Sequence, residues 1–435
     1  MIGTLLAELR FADLWNADGA WIVATAAATN AACAIVGSFL VLRRMSLMGD
    51  ALSHAVLPGL AIAFILARSY SLGPLLIGAV AAGLLTTFLT QTLHEYAGVP
   101  SDASMGVVFT ALFALGVVLI HRGISGVHFD TCIYQGSLET APLYTIEAWG
   151  RHVPRAFVAP AAVGLLNLAI VGVLWKEFKL SAFDPALATT MGFSAGLMHY
   201  LLMAMVAVTS VASFEAVGSI LVVAMLIVPP ATAHLLVDRL APMMVVAVLC
   251  AVLSAVLGYV LGVWLDTNLA GMMTVAASGL YAMAVLFSPR YGLVSNVVGN
   301  LRTSLRVVRE DLLAMLYRVE ELGATQQLAL ADARRAVGGG LLARWGLRAL
   351  LRGGQLSAAG QQVQLTAAGR EEARRMVRTH RLWETFLVRH LGMPLDHVHE
   401  PANRVEHYIS GDLRERLQAK LEATDLDPHG RRIPE

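Results

Sequence analysis

Charged residues are scarce in this chain. They make up 14% of its 435 residues, whereas hydrophobic residues make up 57% and the mean hydropathy is +0.64. An average soluble domain carries about 25% charged residues. Because so few charges cannot cover a fold that is wholly surrounded by water, much of the chain is expected to face lipid.

Cysteine is scarce too: Cys33, Cys132 and Cys250 lie in or beside apolar segments without CxxC spacing. This pattern argues against a disulfide framework or a zinc knuckle and favours small buried hydrophobic residues.

Two common motifs are also missing. No GxxxxGK[ST] phosphate loop occurs, so we do not expect this chain to hold ATP in the usual way or to be an enzyme. The N-terminal residues carry acidic side chains before the first long apolar run and lack a basic region and a small-residue cleavage site. We therefore predict no removable signal peptide.

Nine apolar runs approach the roughly 20 residues that a helix needs to cross the hydrocarbon core. They predict eight or nine transmembrane helices, at about 20–42, 51–67, 75–93, 105–120, 156–174, 195–211, 216–236, 243–265 and 269–287. Basic residues follow the odd-numbered runs, which makes that side cytoplasmic; they are Arg43, Arg44, Lys176, Lys179, Arg239 and Arg290. The loop at 121–155 breaks this rule, because three arginines lie on its nominally outer side.

Charge is distributed unevenly along the chain. Residues 1–289 contain 10 Lys and Arg and 14 Asp and Glu, whereas residues 290–435 contain 22 and 17. Helices are predicted at about 302–322, 328–336, 341–351, 367–391 and 400–421, with a short strand near 363–366. We therefore predict an all-α polytopic membrane protein followed by a mostly α-helical soluble module, a winged helix plus a helical dimerisation unit. The predicted domains are transmembrane (1–289), linker (290–303), winged-helix-like (304–370) and metal-binding or dimerisation-like (371–435).

One polar pair lies inside the apolar part. Asp50 and His54 are four residues apart, so on a helix they share a face. An intramembrane carboxylate costs about 2.5–3.5 kcal/mol and needs a partner. A carboxylate with an imidazole suits a divalent first-row ion. Spacing alone leaves other roles open: Asp50 could cap the second helix and His54 could be a hydrogen-bonded core residue.

The surrounding stretch, VGSFLVLRRMSLMGDALSHAVLPGLAIAF from residue 36, resembles the signature of the manganese/zinc/iron class of ABC-transporter permeases. The resemblance implies that Asp50 and His54 line a metal path at the centre of the membrane. A second stretch, FDPALATTMG at 183–192, resembles the family's cytoplasmic segment that couples to the ATPase. It contains Asp184, Pro185, Ala188 and Gly192, and Asp-Pro is a helix-start signal.

A third stretch also resembles the family, from EAVG at 215–218 to IVPPATA at 227–233. Pro229 and Pro230 are predicted to break a helix inside the membrane. Together the resemblance implies an importer of Mn²⁺, with Fe²⁺ or Zn²⁺ as alternatives, in the inner (plasma) membrane, with its C-terminal part in the cytoplasm. It implies a separate ATP-binding subunit, an extracytoplasmic metal-binding protein, a second permease copy or paralogue, and no permanently bound cofactor.

The C-terminal part, from Arg309 onward, resembles iron- and manganese-dependent repressors (DtxR/MntR-like). The resemblance rests on segments such as HRLWE at 380–384 and HVHEPANRVEHYIS at 397–410. It implies ligand positions for a regulatory divalent metal at Asp311, His380, Glu384, His399, Glu406 and His407. Asn403 stands where the family has Glu or Cys, and Ala314 where the manganese type has Glu, which predicts an altered site. A purely structural role as a dimerisation fold stays open.

Nucleic-acid binding is not expected. The presumed recognition helix reads GGGLLARWGLRALLR from Gly338, and its first turn offers glycine and leucine where base reading needs polar side chains. Arg344, Arg348 and Arg352 could contact phosphates at most, which confers no sequence choice. Two functions therefore stay open: a metal-importer permease with a metal-sensing domain that regulates transport, or a membrane-tethered, metal-dependent transcriptional regulator.

Overall fold

A computed structural model describes residues 17–68, 72–123, 138–148, 151–323, 328–409, 411–421 and 425–434. The chain divides into two compact units, Met1–Ser295 and Asn296–Glu435. Cys33 is buried and Cys250 is half-buried, as their apolar surroundings suggest. Cys132 and the N-terminal residues that bear on the signal-peptide prediction lie outside the described residues.

The first unit is built from long apolar helices. They are α1 (Ala17–Leu42), α2 (Ser46–Ala55), α3 (Leu57–Ala67), α4 (Leu72–Ala97), α5 (Ser101–Gly123), α6 (Arg155–Val173), α7 (Trp175–Phe183), α8 (Pro185–Thr190), α9 (Ala195–Leu236), α10 (Leu240–Leu265) and α11 (Leu269–Phe287). A 3₁₀ turn (Leu138–Leu143) and a hairpin of β1 (Thr145–Ala148) with β2 (Arg151–Pro154) precede α6. Within the described residues, nine stretches of helix are long and apolar enough to cross a membrane. This confirms the prediction of a polytopic helical protein.

Helices α1 and α9 form the centre of this unit. Helix α1 packs against α6, α9 and α10, and α9 also contacts α2, α4 and α11. The two central helices approach closely at Gly37, where an added Cβ would lie 2.0 Å from the carbonyl oxygen of Leu226. Small residues permit such backbone contacts in lipid, where helix association depends on packing rather than on the hydrophobic effect.

The predicted helix break at Pro229 and Pro230 is wrong. Both prolines lie inside α9, and the non-helical backbone in this helix is at Gly218, with φ 75° and ψ 167°. Glycine adopts this positive φ without a steric penalty, so it bends the chain between the two spans that α9 joins. Proline removes one backbone donor, but in a membrane bundle neighbouring groups compensate and the helix continues.

A second close approach joins α3 and α4. A Cβ at Gly59 would lie 2.1 Å from the carbonyl oxygen of Gly78, and a Cβ at Gly78 would lie 2.4 Å from that of Gly59. We expect Gly59→Ala to force the helices apart and to lower the free energy of unfolding by about 1–3 kcal/mol. Thermal unfolding of the purified chain in detergent measures this. Gly106→Ala is the control, because nothing lies within 4 Å of its added Cβ; equal midpoints for both variants would contradict the expectation.

The second unit begins within a long amphipathic helix, α12 (Leu293–Glu321). It continues with β3 (Leu328–Ala329), α13 (Leu330–Ala336), α14 (Leu341–Arg352), β4 (Leu356–Ala359), β5 (Gln362–Leu365), α15 (Ala367–Leu391), α16 (His399–Val405), a 3₁₀ turn (Glu406–Tyr408) and α17 (Gly411–Lys420). The three strands form an antiparallel sheet of order β3-β5-β4. Its core joins Leu312, Leu316, Leu347, Leu350 and Val363 from α12, α14 and β5. Three helices and a β-hairpin packed in this way form a winged helix.

Two predicted boundaries in this unit differ from the structure. Helix α12 begins at Leu293, so most of the predicted linker (290–303) is helical. The helix predicted over 400–421 is interrupted: α16 ends at Val405, a 3₁₀ turn follows, and Ile409 has an extended backbone before α17 begins at Gly411. The interruption places Glu406 and His407 at a turn rather than inside a straight helix.

Candidate metal sites

Helix α2 carries the polar pair of the membrane unit. His54 Nε2 lies 3.6 Å from Asp50 Oδ1, and the side chains are 28% and 50% exposed. The N-cap of α2 is Met45, without a side-chain capping bond, so Asp50 lies inside the helix and does not cap it. The His54 ring contacts the rings of Phe109 and Phe113 on α5, with centroids 5.9 and 5.8 Å away. The imidazole is thus supported by aromatic rings while one side remains open.

The opposite face of α2 fixes this orientation. Met48, Ala51, Leu52 and Ala55 are buried, and α2 packs against α9. Ser53 donates a hydrogen bond to the carbonyl oxygen of Gly49 at 2.8 Å, and its hydroxyl lies 3.4 Å from that of Ser210 on α9. Because residues three and four apart share a helical face, burial of this set turns Asp50 and His54 outward. The pair therefore faces a surface of the unit rather than its interior.

The predicted coupling segment forms a short, well-capped helix. Asp184 is the N-cap of α8, where its Oδ1 accepts a hydrogen bond from the Leu187 amide at 2.9 Å, and Pro185 occupies the first turn. Ala188 is buried, and Gly192 ends the segment with φ +88°. Phe183, Leu187 and Met191 are 58%, 46% and 61% exposed and four residues apart. The segment thus presents an apolar surface.

Two clusters of metal-binding side chains occur in the described part of the second unit. The first consists of His380, Glu384 and His399. His380 Nε2 lies 3.0 Å from Glu384 Oε1 and 3.2 Å from His399 Nδ1, and His399 Nδ1 lies 2.8 Å from Glu384 Oε1. His380 and Glu384 are 3% and 2% exposed. Two nitrogens and an oxygen therefore converge on one point.

The second cluster consists of Asp311, Glu406 and His407. His407 Nε2 lies 3.4 Å from Asp311 Oδ1 and 3.8 Å from Glu406 Oε1. Its other ring nitrogen, Nδ1, lies 2.7 Å from Glu310 Oε2. A carboxylate on the far nitrogen of a histidine orients the ring toward a metal in many metal sites. Glu310 has this position here.

Glu406 connects the two clusters. Its Oε2 lies 2.5 Å from His380 Nδ1, while its Oε1 faces His407. Each carboxylate oxygen therefore serves one cluster. The turn after α16 makes this possible, because it brings Glu406 and His407 against both α12 and α15.

Charge sets the protonation of these residues in the metal-free chain. Burial lowers the pKa of His380. Its hydrogen bonds to Glu384 and Glu406 and the negative charges of these groups raise the pKa by more, so the pKa lies above its ordinary value. Burial raises the pKa of Glu384, yet hydrogen bonds and charges from His380 and His399 bring it down to about 2. Hydrogen bonds that His407 donates to Asp311 and Glu310 raise the pKa of His407 to about 9. Protons thus balance the carboxylates where a divalent ion would otherwise do so.

These shifts predict how stability depends on pH without metal. The folded pKa of His407 is above its ordinary value of 6.5, so its contribution is fully present below pH 6.5 and is lost as pH rises through about 9. Glu384 behaves oppositely: its contribution is present above pH 4.5 and is lost as pH falls through about 2. In calorimetry of the full chain with EDTA, the unfolding temperature of the soluble unit should fall as the pH rises from 6.5 to 9. His407→Gln should reduce that shift; an equal shift in both proteins would contradict the assignment.

The donor set fits a divalent first-row ion. Imidazole nitrogens and carboxylate oxygens suit Mn²⁺, Fe²⁺ and Zn²⁺. The two departures from the repressor pattern leave their positions without a ligand: Ala314 has no donor atom, and Asn403 is exposed outside both clusters. The altered site therefore keeps three donors at each cluster, with Glu310 behind the second.

The structure brings together every C-terminal ligand candidate named from the sequence, in two groups that share Glu406. Four residues that support the candidate metal sites were not predicted from the sequence: Glu310, the aromatic pair Phe109 and Phe113, and Ser210. Glu310 had a signal, since it adjoins Asp311 on a helix.

The recognition helix named from the sequence is α14, where Arg344, Arg348 and Arg352 are exposed on one face.

Residues 19–288 match the ABC 3 transport family, and residues 366–435 match the iron dependent repressor, metal binding and dimerisation domain. The chain is 45% identical over 278 residues to the manganese transport system membrane protein MntD of Bacillus subtilis, which covers 63% of this chain and 94% of that protein. It is 38% identical over 358 residues to the zinc transport system membrane protein TroD of Treponema pallidum, covering 80% and 96%. Among solved structures it resembles PsaBC from Streptococcus pneumoniae in complex with Fab, with a TM-score of 0.55, 29% identity, and coverage of 67% and 98%.

Proposed function

The chain belongs to the ABC 3 transport family, and on that premise we propose that it is the membrane-spanning permease subunit of an ATP-driven importer of divalent transition-metal ions, Mn²⁺ foremost. The observation that carries this proposal is the Asp50–His54 pair, one helical turn apart on the open face of α2. An exposed carboxylate within a membrane span is costly unless it faces an ion, water or a partner. A relative named for zinc transport makes Zn²⁺ an alternative cargo. Fe²⁺ is a further alternative because it suits the same ligands.

A separate ATP-binding subunit is the expected energy source. The exposed residues Phe183, Leu187 and Met191 on and beside α8 supply an apolar surface for it. Helix α9 begins at Ala195, shortly after this segment. The hydroxyl of Ser210 on α9 faces the hydroxyl of Ser53, the residue before His54. The part of α9 before the bend at Gly218 thus runs from the apolar surface beside α8 to α2, the helix that carries the metal pair. An extracytoplasmic metal-binding protein would deliver the ion to the chain, which would lie in the plasma membrane.

A second permease copy, or a paralogue, would complete the metal path. A single chain offers one carboxylate and one imidazole there, and a two-fold assembly would offer two of each from the same surface. Four such donors form a satisfactory site for Mn²⁺, Fe²⁺ or Zn²⁺.

The C-terminal unit would act as a cytoplasmic metal sensor that limits transport. The first cluster has ligands from α15 and α16 and the second from α12 and the turn after α16, so an ion bound at each cluster would fix these segments together. Helix α12 follows the last membrane helix after five residues, which gives a direct covalent route to the transport unit. If uptake by a variant lacking residues 300–435 equalled that of the full chain at every metal level, this sensing role would be excluded.

Reconstitution tests the transport function. The chain, its ATP-binding subunit and the metal-binding protein are incorporated into proteoliposomes, and uptake of radioactive Mn²⁺ is measured with and without ATP. We expect ATP-dependent accumulation, and competition by excess Fe²⁺ and Zn²⁺ ranks the cargo. Accumulation that is absent, or that is independent of ATP, would contradict the importer function.

A further inference from the structure

Helix α14 has a face that the transport function does not use. Ala343, Gly346, Leu347 and Leu350 are buried in the winged-helix core. The opposite face exposes Leu341 and Trp345, at 64% and 46%, together with Arg344, Arg348 and Arg352. The helix contains no acidic residue. We call these five exposed residues the α14 face.

The composition of the α14 face indicates the chemistry of its partner. Three guanidinium groups attract anions, and exposed tryptophan and leucine gain free energy when an apolar layer covers them. A duplex offers phosphates, but its base edges need polar readers, and Leu341 in the first turn is not one. The interfacial zone of a bilayer offers anionic headgroups next to acyl chains, so arginine can contact the headgroups while tryptophan and leucine contact the apolar boundary.

The helix that leads into this unit supports the same partner independently. The first nine residues of α12 contain no charged side chain, and five apolar ones are exposed: Leu293, Val294, Val297, Val298 and Leu301. Their spacing places them on one side of the helix. Helix α12 begins six residues after α11 ends at Phe287, and Arg290 and Tyr291 lie between them. An apolar stripe directly after a membrane span suits the same interfacial zone.

We propose that the α14 face docks the soluble unit on anionic phospholipids of the membrane in which the chain is embedded. Helix α14 corresponds to the recognition helix of a winged helix, but its exposed side chains would bind lipid. Anionic lipid is always nearby because the chain is anchored by its own spans, so a weak contact suffices. Each arginine near an anionic surface contributes about a fivefold preference, so three contribute about a hundredfold between anionic and neutral lipid.

The test measures depth in the membrane at the α14 face. A nitroxide is attached at Ala349→Cys, which is exposed on α14 and leaves the five residues of the face unchanged, in full-length protein with its three cysteines replaced by serine. Gln418→Cys on α17 is the matched control position. In nanodiscs of equal phosphatidylglycerol and phosphatidylcholine, we expect the ratio of oxygen to nickel-complex collision rates at 349 to exceed that at 418 about fivefold or more. In pure phosphatidylcholine the two should be equal.

Arg344→Gln, Arg348→Gln and Arg352→Gln together should remove the preference for anionic lipid. If the cysteine-free chain fails to fold, wild type and Trp345→Phe replace it, and quenching of tryptophan fluorescence by brominated phosphatidylglycerol should be weaker in the variant. The proposal is overturned if the label at 349 is as accessible to water as that at 418 in anionic nanodiscs. It is also overturned if duplex DNA, and not anionic lipid, protects the label, which would assign the face to nucleic acid.

Discussion

Replacing Asp50 or His54 by alanine should abolish metal uptake while leaving the protein in the membrane. A divalent ion that enters the bilayer must exchange its water for protein ligands, and each substitution removes one ligand from every copy. Mutation of a residue that only hydrogen-bonds to a metal ligand lowers metal affinity or activity by about 10–100-fold. Loss of a ligand itself should therefore lower uptake at least about a hundredfold. Uptake of radioactive Mn²⁺ by cells that depend on this chain measures the effect, with immunoblotting to confirm equal amounts of protein.

The controls separate loss of a ligand from loss of structure. Leu47→Ala removes an exposed side chain on the same helix and should transport normally. Asp50→Asn keeps the size of the side chain but removes its charge, and should fail as Asp50→Ala does. Normal uptake by the double variant Asp50→Ala, His54→Ala would exclude the pair from the metal path.

The helical membrane part could be predicted from the sequence because lipid imposes simple rules. Each span needs a long apolar run, and the runs are visible without knowledge of tertiary contacts. The predicted helix break at Pro229 and Pro230 is wrong, because the helix continues through both and its non-helical residue is Gly218. Proline has a known local effect, but whether a helix continues through it depends on neighbouring helices that supply the missing contacts. The sequence does not contain that information in a local form.

The C-terminal clusters were predictable as residues but not as a connected pair. His380 and Glu384 are one turn apart on a predicted helix, which local spacing reveals. Glu406 was predicted inside a continuous helix, where its two oxygens could not face two clusters. The break after Val405 creates that geometry, because the turn contacts α15 and His407 reaches Glu310 on α12. Glu310 was missed for the same reason, since its partner His407 is 97 residues away.

Glu406→Gln should weaken divalent-metal binding at both C-terminal clusters at once. The amide has nearly the same size, but it carries no charge and cannot hold His380 Nδ1 and face His407 as two carboxylate oxygens do. We expect the affinity of each cluster for Mn²⁺ to fall about 10–100-fold. Titration calorimetry of the full chain in nanodiscs measures this, in an Asp50→Ala, His54→Ala background that removes the transport pair.

Single-cluster variants give the comparison that makes this prediction specific. Glu384→Gln should weaken the first cluster and Asp311→Asn the second, each leaving one ion bound with its original affinity. Glu415→Gln, on the exposed surface of α17, should leave both ions bound. Loss of only one ion in Glu406→Gln would mean that the shared carboxylate does not connect the clusters. A sensor built in this way would respond to metal as one unit, because each ion would depend on the same carboxylate.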